Sequence, residues 1–269
     1  MLTAARALTL NAQSSPELPR VEALRDLYRA GVRPRVGEVI MVAGRSGHQK
    51  SGFALWWVLN MRLPTLYFSA DMSAFQASVR IASSITTQTT EEVEAGMADD
   101  RRRHEYLDPM RDVPMTFSFG SPITWRNVEL ELDAFVELHN EFPQVIVYDN
   151  LMDFDGAESD YTVQMAVMSS ITEMARDTGA TVIVLHHASD KTEAAKKDAW
   201  QPPARHEIKG GMAEKPELVL TVAFDNTSSN YRVACVKQRM GPSDQNAQTY
   251  ATLRADPSRT QFHAQTFGF

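Results

Sequence analysis

The stretch VGEVIMVAGRSGHQKS, residues 36–51, decides the fold because it combines a strand signal, a tight turn and a helix start. Residues 36–43 form an apolar, β-rich run, residues 44–51 contain two glycines, and residues 52–61 read as a buried helix. A strand that enters such a turn and leaves as a helix directs backbone N–H groups and the positive end of the helix dipole into one space. The stretch therefore predicts an anion-binding site at this junction.

The turn matches the pattern of a phosphate-binding loop, or P-loop, which ends in a lysine and a hydroxyl residue. We expect Lys50 to reach the β- and γ-phosphates of ATP, and the Ser51 hydroxyl to bind Mg²⁺. Gln49 stands where the pattern has glycine, and a side chain there is expected to tilt the cradle or weaken binding. The alternative is an ordinary Gly/Ser turn followed by an exposed lysine. The predicted cofactor-binding residues are Gly44, Arg45, Ser46, Gly47, His48, Gln49, Lys50 and Ser51.

Beyond this turn, strand-like and helix-like stretches alternate, an order that is typical of an α/β fold with a mostly parallel sheet. Four apolar runs are continuous rather than alternating, which indicates burial on both faces. They are residues 65–69, 115–119, 145–148 and 181–185. Further helices are predicted at residues 73–84, 91–110, 124–140 and 164–178. An antiparallel end to the sheet is predicted from residues 218–224, 231–236 and 250–254.

Composition excludes several classes of protein. The 269 residues are 43% hydrophobic and 23% charged, which is ordinary for a soluble globular chain. No apolar run is long enough to span a bilayer, and residues 1–15 make a poor signal peptide, so we expect a cytoplasmic protein without a membrane partner. The single Cys235 suits a reducing compartment. With a net charge of −7, contact with nucleic acid requires a local basic patch or a ring that gathers loops from several subunits.

Two acidic residues come at the ends of predicted strands. Asp149 ends the apolar run at residues 145–148 in the Walker B form, and we expect it to hold Mg²⁺ together with Ser51. Asp71 follows the strand at residues 65–69 and is a candidate for polarising the attacking water. The alternatives are a turn aspartate for Asp149 and a helix N-cap for Asp71.

Three further motifs resemble those of the DnaB-type replicative helicases, which belong to the RecA-like superfamily. FSADM, residues 68–72, is similar to the Phe-Ser-Leu-Glu-Met that carries their catalytic glutamate. LHHAS, residues 185–189, is similar to a motif of the hexameric plasmid RepA helicases. VKQRMGP, residues 236–242, is similar to the Lys-Asn-Arg-Asn-Gly-Pro near the end of DnaB-type motors. The resemblance implies a RecA-like P-loop core with these catalytic residues: Lys50, Asp71, Asp149, His187, Lys237 and Arg239.

The same resemblance implies roles for the later motifs. His187 would sense the γ-phosphate, whereas Lys237 and Arg239 would reach the nucleotide of a neighbouring subunit. A zinc half-site formed by the two adjacent histidines is disfavoured, since adjacent strand residues point to opposite faces. The family's DNA-binding loop corresponds to residues 190–211. Within it Arg205 and Lys209 are the expected DNA-binding residues, and Lys196 and Lys197 are weaker candidates, with a solvated loop as the alternative.

The sequence therefore predicts an N-terminal arm at residues 1–20 and a RecA-like ATPase domain at residues 21–269. The implied function is an ATP hydrolase that acts as a DNA helicase or translocase in replication or recombination. Its partners would be single-stranded or branched DNA and further copies of the chain in a hexameric ring. Two alternatives stay open. One is a metal-dependent nuclease using Asp71, Asp149, Asp153 and Asp155; the other is a non-hydrolysing nucleotide-binding scaffold or loader, suggested by Gln49 and Asp71.

Overall fold

The computed structural model describes residues 16–190 and 198–265, together with Thr3 and Arg6. Most of the predicted N-terminal arm, residues 1–20, therefore lies outside the described residues. The described chain forms a nine-stranded sheet in the order β3-β2-β4-β5-β1-β6-β7-β8-β9. The strands are β1 Val39–Gly44, β2 Thr65–Ser69, β3 Met115–Ser118, β4 Val145–Asp149, β5 Thr181–His187, β6 Leu218–Asp225, β7 Asn230–Gln238, β8 Ala251–Asp256 and β9 Gln261–Ala264.

The sheet has a parallel part and an antiparallel part. Strands β3, β2, β4, β5, β1 and β6 pair in parallel, and β6 to β9 pair antiparallel. The predicted fold class, a mostly parallel α/β sheet with an antiparallel C-terminal end, is therefore confirmed. Strand β9 is absent from the prediction. It contains four residues, of which Phe262 alone is fully buried, and so short a run gives no periodic signal.

The α-helices of the described chain are α1 Arg25–Arg29, α2 Lys50–Met61, α3 Ala74–Thr86, α4 Thr90–Ala98, α5 Arg103–Met110, α6 Trp125–His139 and α7 Tyr161–Thr178. The prediction of one helix over residues 91–110 was wrong, because α4 and α5 are separate. The chain turns out of α4 at Asp99, whose backbone is extended and whose carboxylate accepts the Arg101 N–H at 2.9 Å. An aspartate that bonds to nearby backbone in this way competes with helix continuation.

The sheet separates two hydrophobic cores. Alternate residues of β1 serve them: Ile40 and Val42 belong to one core, and Met41 and Ala43 to the other. Helix α2 is buried almost all round, which is why its sequence reads as uniformly apolar. Because β1 lies between β5 and β6, the turn after it emerges at the middle of the carboxyl edge of the parallel strands. In open α/β sheets this edge is where ligands bind. In the described chain, no helix is both long and apolar enough to cross a membrane.

Candidate nucleotide-binding site

The turn between β1 and α2 has the backbone that a phosphate cradle needs. A Cβ atom on Gly44 would lie 2.9 Å from both Cγ2 and O of Val222, so β6 leaves no space for a side chain there. Gly47 has φ 76° and faces open space. Gln49, at the position where glycine was expected, adopts the left-handed conformation that glycine favours, with φ 54° and ψ 33°. The turn therefore keeps its shape at the cost of strain at Gln49.

Lys50 and Asp149 are the charged residues at the base of a cleft beside this turn. Lys50 is buried, and its Nζ donates to the Arg45 carbonyl at 3.0 Å. Burial lowers its pKa to about 8, against the opposing effect of the Asp149 charge. Asp149 is 3% exposed, and burial raises its pKa to about 6. Its Oδ1 accepts the Ser51 hydroxyl at 3.1 Å, and its Oδ2 accepts the Tyr67 hydroxyl at 3.0 Å. These two bonds favour the ionised carboxylate.

Asp71 and His187 line the same cleft as the P-loop. Asp71 is exposed at its edge. The alternative interpretation of Asp71 as a helix N-cap is wrong, because Ser73 caps α3 by accepting the Gln76 N–H. His187 is half-buried, and burial lowers its pKa to about 4, so it is neutral at physiological pH.

The adjacent His186 points away from the cleft into the protein. It is buried, its pKa is also lowered to about 4 by burial, and its Nε2 lies 3.0 Å from the Lys209 carbonyl oxygen. A neutral ring donates to that carbonyl through Nε2. Within the described part of the chain, no group of three or more His, Cys, Asp or Glu side chains is arranged to hold a metal ion. This counts against a zinc site at the histidine pair.

Gly52 and two polar residues of the cleft were missed by the sequence analysis. Arg80 of α3 and Asn150 line the cleft beside Asp149. A signal for Arg80 was present in helical spacing, since it lies two turns after the cap residue Ser73 and faces the same side. Asn150 gives no such signal. Its side chain accepts the Met152 N–H at 2.9 Å, and the peptide bond that joins it to Asp149 is cis.

The side chains of Arg45 and His48 do not line the cleft, although both residues belong to the predicted P-loop. The Arg45 guanidinium forms a buried ion pair with Glu207 at 3.3 Å. His48 accepts the Phe224 N–H through Nδ1 at 2.9 Å. Since the sequence analysis assigned phosphate binding in this turn to backbone N–H groups, these side-chain contacts leave the prediction for Arg45 and His48 unchanged.

The predicted DNA-binding loop at residues 190–211 is partly packed. Lys196 and Lys197 lie outside the described residues. Residues 202–204 are buried, and two 3-10 helices, Arg205–Glu207 and Lys209–Glu214, follow. The alternative of a solvated loop is therefore wrong for this part, because the two prolines are buried, Glu207 pairs with Arg45 and Ile208 forms a β-bridge with Ala188.

Arg205 and Lys209, the predicted DNA-binding residues, lie on either side of that paired glutamate. Arg205 is half-buried, and its N–H donates to the Gln245 carbonyl at 2.8 Å. Lys209 is exposed and is followed by Gly210 and Gly211, both in the left-handed region. Both residues thus lie in turns with defined backbone conformation and not in an extended, solvated loop.

Lys237 and Arg239 lie at the end of β7, outside the cleft of their own chain. Lys237 Nζ donates to the Glu214 carbonyl at 2.6 Å, and burial lowers its pKa to about 8. Arg239 pairs with Glu217 at 3.2 Å, and its side chain is 59% exposed. The structure therefore brings Lys50, Ser51, Asp71, Asp149 and His187 together and leaves these two cations apart.

A P-loop turn, an aspartate in the Walker B position and a polar residue at the end of β5, all at one edge of a parallel sheet, define a P-loop NTPase of the RecA-like type. The chain belongs to the AAA domain family, whose model it matches over residues 4–193. Two curated relatives from phages are both described as Gene 65 protein. The one from Mycobacterium phage L5 is 30% identical over 260 residues, covering 94% of this chain and 95% of the relative. The one from Mycobacterium phage D29 is 29% identical over 222 residues, covering 80% and 94%.

Two solved structures share the fold. One, described as an ATPase domain, superposes with a TM-score of 0.74 at 14% identity, covering 97% of this chain and 96% of that domain. The other, a DnaB-like replicative helicase described with its interactions with primase, superposes with a TM-score of 0.71 at 13% identity. This chain is covered to 84% in that match and spans 57% of the helicase's length. The resemblance to the RecA-like fold of DnaB-type motors is thus confirmed.

Proposed function

We propose that this protein is a ring-forming, ATP-dependent DNA motor, a helicase or translocase of the DnaB and RepA kind that acts in DNA replication or recombination. The observation that carries the proposal is the Ser51–Asp149 hydrogen bond of 3.1 Å beside the buried Lys50. Phosphoryl transfer in P-loop enzymes needs a hydroxyl and a carboxylate for Mg²⁺ next to a lysine for the phosphates. Residues 21–269 would form one ATPase domain, with residues 1–20 as an arm, in the cytoplasm.

The residues of the cleft fit ATP and Mg²⁺. Gly47 leaves open space over the turn, and Ser51 and Asp149 offer oxygen atoms, which are the ligands that Mg²⁺ prefers. Few protein ligands suffice, because Mg²⁺ at such sites is held mainly by phosphate oxygens and water. When bound, the metal neutralises charge on the β- and γ-phosphates. Lys50 would exchange its bond to the Arg45 carbonyl for phosphate oxygens.

Asp71, His187 and Arg80 would act on the terminal phosphate. Asp71 is exposed at the edge of the cleft, where a carboxylate can orient a water molecule and accept its proton. His187 is neutral at physiological pH, so it would bond to the γ-phosphate without adding a charge. Arg80 would supply a fixed positive charge from within the same chain. Hydrolysis of ATP would require these three roles in addition to binding of the nucleotide.

The positions of Lys237 and Arg239 support the proposal that copies of the chain assemble into a ring. Arg239 is exposed and lies outside its own cleft, so its proposed contribution is to the nucleotide of a neighbouring copy. An arginine supplied in trans typically raises the rate of phosphoryl transfer by about 10³-fold or more. A hexamer is the assembly that the family resemblance implies.

Arg205 and Lys209 would contact single-stranded or branched DNA. The chain has a net charge of −7, so a single copy is a poor binder of nucleic acid. Six copies that each present these two cations around a pore would bind the phosphate backbone without sequence preference.

Two other functions follow from particular observations. A non-hydrolysing nucleotide-binding scaffold is favoured by the strained Gln49 and by Asp71, which is one methylene shorter than the glutamate of the family. The nuclease alternative has less support. Asp153 Oδ2 accepts the Asn150 N–H at 2.7 Å and thereby caps a 3-10 helix, and the described acidic residues form no metal-binding cluster of three.

The test is steady-state ATP hydrolysis by the wild type, Lys50→Ala and the control Lys215→Ala, each with and without single-stranded DNA. The proposal expects hydrolysis that DNA stimulates in the wild type and the control, and none in Lys50→Ala. Size-exclusion chromatography with nucleotide is expected to show a ring. A wild type that binds ATP without turnover supports the scaffold, and DNA cleavage in Mg²⁺ without nucleotide supports the nuclease; either result contradicts the motor.

A further inference from the structure

The side chain of Arg45 fastens the P-loop turn to the chain that follows β5. Arg45 is 3% exposed, and its guanidinium is engaged at every nitrogen. Nε donates to the Ser189 carbonyl at 3.4 Å, one terminal nitrogen donates to the carbonyls of Ala199 at 3.3 Å and Gln201 at 2.8 Å, and the other pairs with Glu207 at 3.3 Å. The side chain of one P-loop residue therefore contacts four residues of the chain that follows β5.

Glu207, the acidic partner of Arg45, is also fixed by contacts within its own segment. Its side chain is 2% exposed, and its Oε2 accepts the Ala204 N–H at 2.7 Å. Its backbone carbonyl accepts the Ser189 N–H at 2.8 Å. Arg205 and Lys209 are each two residues away from it. The carboxylate that pairs with the P-loop thus lies at the centre of the segment that carries the proposed DNA contacts.

Lys50 connects the cleft to the same arginine. Its Nζ donates at 3.0 Å to the Arg45 carbonyl, whose residue holds the segment through its side chain. A triphosphate that takes Lys50 as a ligand removes this bond. The Arg45 peptide then loses a charged partner, while the buried guanidinium stays attached to its carbonyls and to Glu207. A movement of the turn would therefore be passed to Ala199, Gln201 and Glu207 through the hydrogen bonds and the ion pair of this guanidinium.

We propose that the Arg45–Glu207 pair is a positioning device that couples nucleotide occupancy of the cleft to the placement of Arg205 and Lys209. The inference rests on the proposed function, since it takes Lys50 as a phosphate ligand and these two cations as DNA contacts. Both charges of the pair are buried, so salt screens them little. Coupling of this kind is reciprocal: nucleotide changes DNA affinity by the factor by which DNA changes nucleotide affinity.

The test compares two matched substitutions in the full chain. Glu207→Gln removes the negative charge of the buried pair. The control Glu105→Gln removes the negative charge of a surface pair with Arg102. A fluorescent ATP analogue with Mg²⁺ reports nucleotide affinity. The anisotropy of a labelled oligothymidylate reports DNA affinity, with and without a saturating non-hydrolysable analogue. The ratio of the two DNA affinities is the coupling factor.

The wild type and Glu105→Gln are expected to show a coupling factor of about 5 or more. In Glu207→Gln the factor is expected to fall to within about twofold of unity, while nucleotide affinity and nucleotide-free DNA affinity stay within about threefold of the wild type. A structural role alone would lower both affinities or neither and would leave the factor unchanged. Wild-type coupling in a folded Glu207→Gln overturns the inference, and so does an equal loss of both affinities.

Arg45→Lys provides a second variant should Glu207→Gln unfold at the assay temperature. It keeps the buried positive charge but replaces the guanidinium fork by a single donor group. Loss of coupling in this variant supports the inference, and wild-type coupling overturns it. A wild type that binds both ligands without coupling overturns the inference and leaves ATP binding intact. A wild type that binds no nucleotide contradicts the proposed function itself.

Discussion

The cleft and the end of β7 both carry cations suited to phosphate, but they are held in different ways. In the cleft, burial shifts the pKa of Lys50 to about 8 and that of Asp149 to about 6, and the two residues face one space. At the end of β7, Arg239 is 59% exposed and pairs with the half-buried Glu217. Folding of one chain assembles the first group. The second lies outside the cleft of its own chain, and we propose that it serves the nucleotide of a neighbouring copy, so the comparison predicts different responses to mutation.

Arg239→Ala gives the largest expected effect that separates the two regions. Loss of a cation supplied in trans is expected to lower kcat by about 10³-fold. Nucleotide affinity of the isolated chain is expected to stay within about threefold, because Arg239 is not part of its own cleft. Steady-state hydrolysis and binding of a fluorescent analogue measure the two quantities. Arg254, which is exposed on β8, provides the matched control as Arg254→Ala.

Mixing variants sharpens this prediction. An Arg239→Ala subunit retains a cleft, and a Lys50→Ala subunit retains Arg239, so mixed rings are expected to recover activity that neither variant has alone. Failure to recover any activity from a mixture that forms rings would show that Arg239 does not act between subunits.

The pH dependence of nucleotide binding tests the cleft itself. As the pH falls through 6, Asp149 takes up a proton and loses its charge; as the pH rises through 8, Lys50 loses its proton. Affinity for a Mg²⁺–nucleotide complex is therefore expected to be greatest between pH 6 and 8 and to fall about tenfold by pH 5 and by pH 9. Titration calorimetry measures the profile.

Asp149→Asn controls for protonation of the nucleotide. The variant is expected to bind weakly at every pH and to lack the decrease below pH 6 that the wild type shows. An identical acid decrease in both proteins would assign it to the nucleotide and contradict the role of Asp149. Stability without ligand depends on pH in the opposite direction to nucleotide affinity. Because the pKa of Asp149 is raised in the folded protein, its contribution to the free energy of unfolding is largest at low pH and is lost as the pH rises through 6.

Gln49→Gly gives the smallest expected effect. A left-handed conformation costs a residue other than glycine about 1 kcal/mol, so the substitution is expected to raise the free energy of unfolding by up to about 1 kcal/mol. Nucleotide affinity is expected to rise a few-fold as the cradle relaxes. Arg62→Gly, at the other end of α2 with φ 54°, is a control that gains stability without a change in affinity. Weaker binding by Gln49→Gly would mean that the Gln49 amide contributes a contact.

The sequence predicted the parallel part of the sheet well, because a strand buried on both faces reads as a continuous apolar run. Residues 145–149 are such a run, and their position also predicted where Asp149 lies. The break between α4 and α5 was not predicted. It depends on the Asp99 carboxylate competing for a backbone N–H, a local choice that helical periodicity does not record.

Site residues that belong to a sequence motif were predictable, whereas contacts that depend on tertiary packing were not. Lys50, Asp71, Asp149 and His187 lie at or beyond the carboxyl ends of β1, β2, β4 and β5, which are consecutive in the sheet, so their convergence follows from topology. The Arg45–Glu207 contact joins residues 162 positions apart through a segment that reads as a polar loop. No periodicity marks a buried ion pair inside such a segment. The proposed role of Arg239 requires a second chain, so no pattern within one sequence marks the contact it would make.

The most direct test of the central claim is the affinity of the nucleotide-free protein for a Mg²⁺–ATP analogue, measured for the wild type, Lys50→Ala and Lys215→Ala by titration calorimetry. If the turn after β1 holds a triphosphate, Lys50→Ala binds about 100-fold more weakly than the wild type, and Lys215→Ala binds like it. Equal affinity of the wild type and Lys50→Ala would contradict the account.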